Sequence, residues 1–219
     1  MNAYHLTGAL NALFFGFALV GIGHQWAEIR RRRREGVAAP TEVLSLNQLG
    51  VSFFAYWVFF VYGYWVKPFN PYLVWPRLAG AALLLPVLFE LARDRRDPVS
   101  RGGFAFAIAL LALGIAGLAA GMQVPERWLA FPQFISVVIT LLVLQGFGHQ
   151  ILAVRRHGAP GAVSPWMHVG TFAKDVSLLA FGLAMGRETG WPLVLMSSVS
   201  LSAKGVLIWH LRSAFRPAT

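Results

Sequence analysis

Three charged residues stand where the sequence is otherwise apolar enough to lie inside a membrane: Lys174 and Asp175 in one run and Lys204 in the next. On insertion scales each such charge costs roughly 2.5–3.5 kcal/mol at the centre of a span, so each needs a partner or a wet cavity. Neighbouring positions on a helix point about 100° apart. Lys174 and Asp175 are therefore predicted not to face one partner, and Asp175 with Lys204 is the preferred cross-helix pair. Two chemistries fit that pair. It is either a fixed ion pair that orients the helices, or a carboxylate that binds a proton or a cationic group and is released from Lys204 during a cycle. Arg77 is a fourth charge, about one and a half helical turns inside its run. It either snorkels outward or faces a central cavity, where a guanidinium would hold a carboxylate or phosphate through two hydrogen bonds.

Two histidines complete the set. Gly21-Ile22-Gly23-His24-Gln25 recurs 125 residues later as Gly146-Phe147-Gly148-His149-Gln150, and the same offset carries Arg30, Arg31 and Pro40 onto Arg155, Arg156 and Pro165. The chain holds only six His and six Gln, so a repeated His-Gln pair inside matching flanks marks a duplication. Imidazole titrates near physiological pH, and the pair can gate a mouth or pass protons; hydrogen bonding at a helix end accounts for the same residues. Gly23 and Gly148 weaken a helix interior and are candidate hinge positions beside His24, Gln25, His149 and Gln150. No zinc-protease pair, phosphate loop, nucleophile elbow or paired carboxylates occur, so no enzyme and no metal site is expected.

The elements that must position these residues are membrane helices. Hydrophobic residues make up 57% of the 219 and charged residues 13%, far from the soluble average. Apolar runs long enough for a hydrocarbon core of about 30 Å predict seven helices, near 8–28, 44–65, 72–92, 103–122, 129–153, 166–186 and 191–213. The first apolar run is followed by arginines and not by a small-residue cleavage site, so it reads as a retained helix. The absence of cysteine excludes disulfides and thiolate metal sites. Although the net charge is +10, the basic residues lie in short segments between apolar runs. They set topology there, and no nucleic-acid module is present.

The fold class expected is therefore all-α integral membrane: one domain over 1–219 with helices arranged three, one, three. Repeat 1 spans 8–96, a linker helix 103–122, and repeat 2 spans 129–216. The single linker helix makes the two copies parallel. Thirteen of the 19 Lys and Arg, including Arg30 to Arg34, fall on one side, which predicts an outside N-terminus and a cytoplasmic C-terminus. The five arginines from Arg30 read as a loop that sets topology, with anionic lipid or a partner as a further contact. Tyr64, Trp65, Tyr72, Trp75, Trp128 and Trp191 cluster at the opposite ends, as headgroup anchors do. Gly117 to Gly121 and Gly182 to Gly186 are small-xxx-small patterns that let helices approach closely.

Topology, duplication and the placement of Gln25 and Gln150 at the ends of helices 1 and 5 resemble the PQ-loop and SWEET superfamily. In its motif a Pro-Gln pair closes the first helix of each repeat, and the second helix carries an aromatic pattern like Tyr56-Trp57 and Tyr62-Gly63. The family proline is replaced by His24 and His149, so the family's proline hinge is absent. Where sugar-transporting members place an asparagine three residues before a glycine, this chain has Arg77 before Gly80 and Ser202 before Gly205, which argues against a neutral sugar. The resemblance implies a carrier working by alternating access on a small solute, here polar or charged, and the cost of burying Asp175 makes that residue the candidate proton site of such a carrier. Lys204, Lys174, Arg77, Tyr56 and Trp57 are its candidate pathway residues. The expected setting is a prokaryotic cytoplasmic (inner) membrane, and the expected partners are the lipid bilayer and the solute, with a homo-oligomer or a larger membrane complex open. A non-transporting receptor or accessory subunit is the alternative in a different class.

The last helix also resembles that of microbial rhodopsins, in Ser202-Ala203-Lys204, where lysine carries retinal. The carboxylates that family uses as counterions are Gly80 and Ser200 here, so no cofactor is expected, retinal on Lys204 being the alternative.

Overall fold

A computed structural model describes residues 2–42, 44–122, 124–157 and 165–214, and the side chains of 126, 149–157, 165–171, 207, 208 and 210–214 lie outside that description. Among the described residues the chain is helical, without strands. Its elements are α1 (Ala3–Arg34), α2 (Leu46–Trp65), α3 (Pro71–Arg95), α4 (Pro98–Ala119), a short 3₁₀ turn (Glu126–Leu129), α5 (Ala130–His157), α6 (Pro165–Ala184) and α7 (Arg187–Ala214). Four helical segments, Ala3–Arg34, Pro71–Arg95, Pro98–Ala119 and Arg127–Gly148, are both long and apolar enough to cross a bilayer. The aromatic residues of α2 and the charges of α6 and α7 dilute the hydropathy of the others. Large apolar side chains such as Phe17, Val20, Phe106, Leu113, Phe134 and Leu183 are exposed, an arrangement suited to lipid and costly in water. The protein is an integral membrane protein.

Helix ends follow local chemistry. Ser45, Asn70 and Asp97 cap α2, α3 and α4 by accepting the N–H groups of Gln48, Leu73 and Ser100. At Asp97, hydrogen bonds from the Ser100 hydroxyl and N–H hold the carboxyl below the usual carboxylate range. The second glycine of each small-xxx-small pattern, expected to pack, instead terminates a helix. Gly121 and Gly186 adopt φ of 60° and 88°, the left-handed region open to glycine. After α4 the N–H of Met122 reaches the Gly117 carbonyl and that of Gly121 the Leu118 carbonyl, a Schellman closure.

The chain forms two compact units, Phe15–Ile135 and Met1–Phe14 with Ser136–Thr219, whose boundaries fall inside α1 and α5. In the first, α2, α3 and α4 pack around Leu49, Phe53, Leu84, Leu88, Leu91, Ala107 and Leu111. Trp57, Phe60 and Tyr64 line one face of α2, and glycines of α4 receive them. A Cβ at Gly114 would lie 2.8 Å from the Phe60 ring, and one at Gly117 2.8 Å from the Tyr64 hydroxyl. In the second unit α6 and α7 cross as closely as backbones can. A Cβ built at Gly190 would collide with the Gly182 carbonyl, and one at Gly182 would lie 3.0 Å from Val194.

The five arginines expected in a loop are the last turns of α1. Glu28 binds Arg31 at 2.7 Å and Arg32 at 2.8 Å, and Arg31 reaches Glu35 at 2.6 Å, so ion pairs three and four residues apart prolong the helix beyond its apolar part. Arg33 crosses to α3, where its guanidinium lies 2.6 Å from both Glu90 and Asp94. Asp94 also accepts the Thr41 hydroxyl at 2.7 Å and N–H at 3.1 Å, and Arg95 donates to the Leu44 carbonyl at 2.7 Å. The α1–α2 connection is thereby fastened to the end of α3.

Candidate functional site

In the second unit, α6 brings Asp175 against α7. Its carboxylate accepts the Lys204 ammonium at 2.5 Å and the Ser200 hydroxyl at 2.6 Å through the same oxygen, Oδ2. Ser200 and Lys204 are four residues apart and so share a face of α7. The other oxygen, Oδ1, lies 3.2 Å from the Lys174 ammonium. Lys174 and Asp175 were expected not to face one partner, and the backbone positions do diverge; the long lysine stem instead curls back to the adjacent carboxylate itself. Side-chain exposure is 4% for Asp175, 7% for Lys204 and 20% for Lys174, so Lys174 forms the open side of the cluster.

Among the described residues the cluster carries two ammonium groups and one carboxylate. Lys204 is further placed 5.8 Å from the centre of the Phe147 ring, whose face attracts a cation. One turn behind, the Ser177 hydroxyl donates to the Lys174 carbonyl at 2.7 Å and accepts the Asn11 amide at 3.3 Å, which connects the first turns of α1 to α6. Ser177 and Asn11 were missed by sequence reasoning, and only their polarity inside apolar runs marked them. Ser200 was considered only as an absent counterion; its spacing to Lys204 was the usable signal.

The first unit holds Arg77, Tyr56 and Gly80 together. The Arg77 guanidinium is buried, 4.5 Å from the Phe15 ring centre, and the Phe15 and Tyr56 rings meet edge to face at 5.2 Å. A Cβ at Gly80 would lie 2.9 Å from the Tyr56 ring, so glycine is needed for that approach. Arg77 also donates to the Tyr72 carbonyl at 3.3 Å. In an ideal helix that carbonyl would receive the N–H of residue 76, but Pro76 has none, and the arginine replaces the lost donor. Arg77 thus has a backbone-satisfying role that neither snorkelling nor solute binding anticipated.

A double-mutant cycle checks this. Arg77→Leu is expected to lower stability by about 1–3 kcal/mol through the stranded carbonyl. Pro76→Ala supplies an N–H and should remove part of that loss; equal effects of Arg77→Leu in both backgrounds, read by thermal unfolding in detergent, would refute the link.

Other expected site residues part from these clusters. Trp57, grouped with Tyr56 as a pathway residue, turns instead toward α4, where its indole N–H donates to the Leu110 carbonyl at 2.6 Å. Adjacent residues of a helix diverge, so only one of the two can face Arg77. Gly23 and Gly148 have open space where a Cβ would stand, and α1 and α5 run through them without a break. His24 is exposed, Gln25 partly buried, and the side chains of His149 and Gln150 lie outside the described residues, as do those of Arg155, Arg156, Arg212 and Arg216.

No family model and no curated protein matches the sequence. A solved structure of a eukaryotic SWEET transporter does match, with a TM-score of 0.58 at 17% identity, covering 95% of this chain and 96% of that one. The chain has a SWEET-like fold. The similarity covers nearly the whole of both chains, so the helices that carry the two clusters lie within the shared fold. In this SWEET-like chain the third helix carries Arg77 with Pro76 at its back, and the last helix carries Lys204.

Proposed function

We propose that the protein is a SWEET-like carrier that moves a small polar or charged metabolite by alternating access, with Asp175 as its proton-binding group. The observation that carries the reading is the buried Asp175 carboxylate shared by Lys204, Lys174 and Ser200. A carboxylate held by two ammonium groups is a two-state element. Protonation removes its charge and weakens both ion pairs, so an anion beside the two lysines becomes more favourable. A solute bearing a carboxylate or phosphate would neutralise them, and a proton on Asp175 would travel with it.

The repeat supports the rest of the mechanism. α1 to α3 and α5 to α7 are the two parallel copies and α4 their linker, with the N-terminus outside by the distribution of arginine. The solute moves along the axis between the copies as they rock. Nothing in the geometry favours a receptor over a carrier.

Retinal on Lys204 requires revision of one premise. A carboxylate does stand beside Lys204, supplied by α6. Yet that carboxylate is shared with Lys174 and Ser200, and the protein supplied with retinal is expected to show no visible band dependent on Lys204.

The test of the main proposal is uptake into proteoliposomes across amino acids, organic acids, phosphorylated metabolites, sugars and vitamins, with and without a pH gradient. Accumulation of an anionic solute driven by an acidic exterior is expected. Failure of every solute class, with folded protein in the vesicles, would leave the carrier reading without support.

A further inference from the structure

The acidic residues around the α3–α4 turn are already engaged. Glu90 and Asp94 bind Arg33 at 2.6 Å, and both oxygens of Asp97 accept Ser100, at 2.9 Å from its N–H and 2.6 Å from its hydroxyl. Three arginines of the same turn are left over. Arg93 has only a loose contact with Glu90 at 3.9 Å, and among the described residues no carboxylate pairs with Arg96 or Arg101. These three, with Phe89, Ala92 and Phe104, line a cavity of about 330 Å³ between the end of α3 and the start of α4.

Two further features give the cavity its character. Arg96 adopts φ of 57°, in the left-handed region where glycine or asparagine would be easier, and alone among the described non-glycine residues. Arg96 is the residue that closes α3, its N–H on the Ala92 carbonyl, so a guanidinium stands where a helix end would most easily take glycine. The other wall is apolar: the Phe89 and Phe104 rings lie 5.5 Å apart, and Phe89 is exposed. A site with cations at the end of two membrane helices and apolar rings next to them matches a molecule that has an anionic head and hydrocarbon tails.

We propose that the Arg93–Arg96–Arg101 cavity binds the phosphate of an anionic phospholipid, whose acyl chains lie along Phe89 and Phe104. Arginine presents several N–H donors in the plane of a phosphate, and three of them surround the headgroup from α3, the turn and α4. A lipid is favoured over free phosphate because the apolar rings continue the site toward the hydrocarbon. The site joins the two helices at the point where the first three-helix set passes into α4, so an occupied site would brace that junction. It does not depend on the protein being a carrier.

The experiment uses the full chain in neutral detergent, with lipid binding read by native mass spectrometry. Phosphatidylglycerol and cardiolipin are expected to bind in clear preference to phosphatidylcholine. Arg96→Gly with Arg101→Gln should weaken phosphatidylglycerol binding by about thirtyfold. Glycine relieves the left-handed backbone at 96, so this variant should unfold in lipid-free detergent at or above the temperature of the parent. Arg93→Gln with Arg101→Gln is the second variant and should lose binding similarly. Arg30→Gln with Arg34→Gln removes as much charge elsewhere and should leave the preference intact. The proposal is overturned by equal binding of phosphatidylcholine, by equal losses in the Arg30 and Arg34 variant, or by unchanged binding when the turn arginines are removed. Displacement of the lipid by millimolar inorganic phosphate would likewise overturn it in favour of a free phosphate site.

Discussion

Asp175→Asn is expected to abolish solute uptake and to destabilise the protein. The sequence alone suggests an isosteric exchange that folds like the parent, but Asp175 is the carboxylate beside two ammonium groups and its loss takes that charge from both. Breaking a buried pair by removing one partner costs about 3–5 kcal/mol. Lys174 is partly exposed and can turn away, so Lys204 is the charge that matters most for folding. Removing both members of the tight pair, in Asp175→Asn with Lys204→Met, should recover most of the stability, because a buried ion pair replaced by groups of similar volume is often neutral. It should not recover uptake. Folded double variant that transports at the parent's rate would reduce the pair to a device for helix packing.

The largest effect on folding is expected at Gly190. Helices α6 and α7 approach there until a Cβ would overlap the Gly182 carbonyl, a backbone atom that cannot swing aside as a side chain can. Gly190→Leu should prevent the helices from packing, and even Gly190→Ala should cost about 3 kcal/mol, at the upper end of overpacking effects. Because Asp175 and Lys204 lie on these two helices, spreading them would also part the ion pair. Gly205 is the control: it has open space around the built Cβ, so Gly205→Ala should unfold near the parent's temperature. Fluorescence-detected size exclusion after heating would report both. A Gly190→Ala protein as heat-resistant as the parent would contradict the close crossing.

Helices were more legible in the sequence than their ends. Hydropathy sees only the apolar part of α1, from 8 to 28, whereas the helix runs from Ala3 to Arg34 because Glu28, Arg31, Arg32 and Glu35 bind one another along its surface. Gly121 and Gly186 were misread for a related reason: spacing alone does not distinguish a glycine that packs from one that ends a helix. At the site, the cost of a buried charge was enough to pair Asp175 with Lys204. The reach of Lys174 was not legible, since backbone geometry limits where Cβ points but not where a four-carbon stem ends. Nor was the Arg77–Tyr72 bond, although Pro76 signalled an orphaned carbonyl one turn away. The Arg33, Glu90, Asp94 and Thr41 network joins residues distant in the chain, and no local pattern announces it.

The central claim is that Asp175 takes up a proton as solute moves, and proton flux measures it most directly. Proteoliposomes loaded with a pH-sensitive dye would receive the solute identified by uptake, with no imposed gradient. The parent protein should carry protons inward with the solute, and the Asp175→Asn, Lys204→Met protein, inserted to the same density, should carry neither. Solute entry into parent vesicles without any change of internal pH would contradict the account.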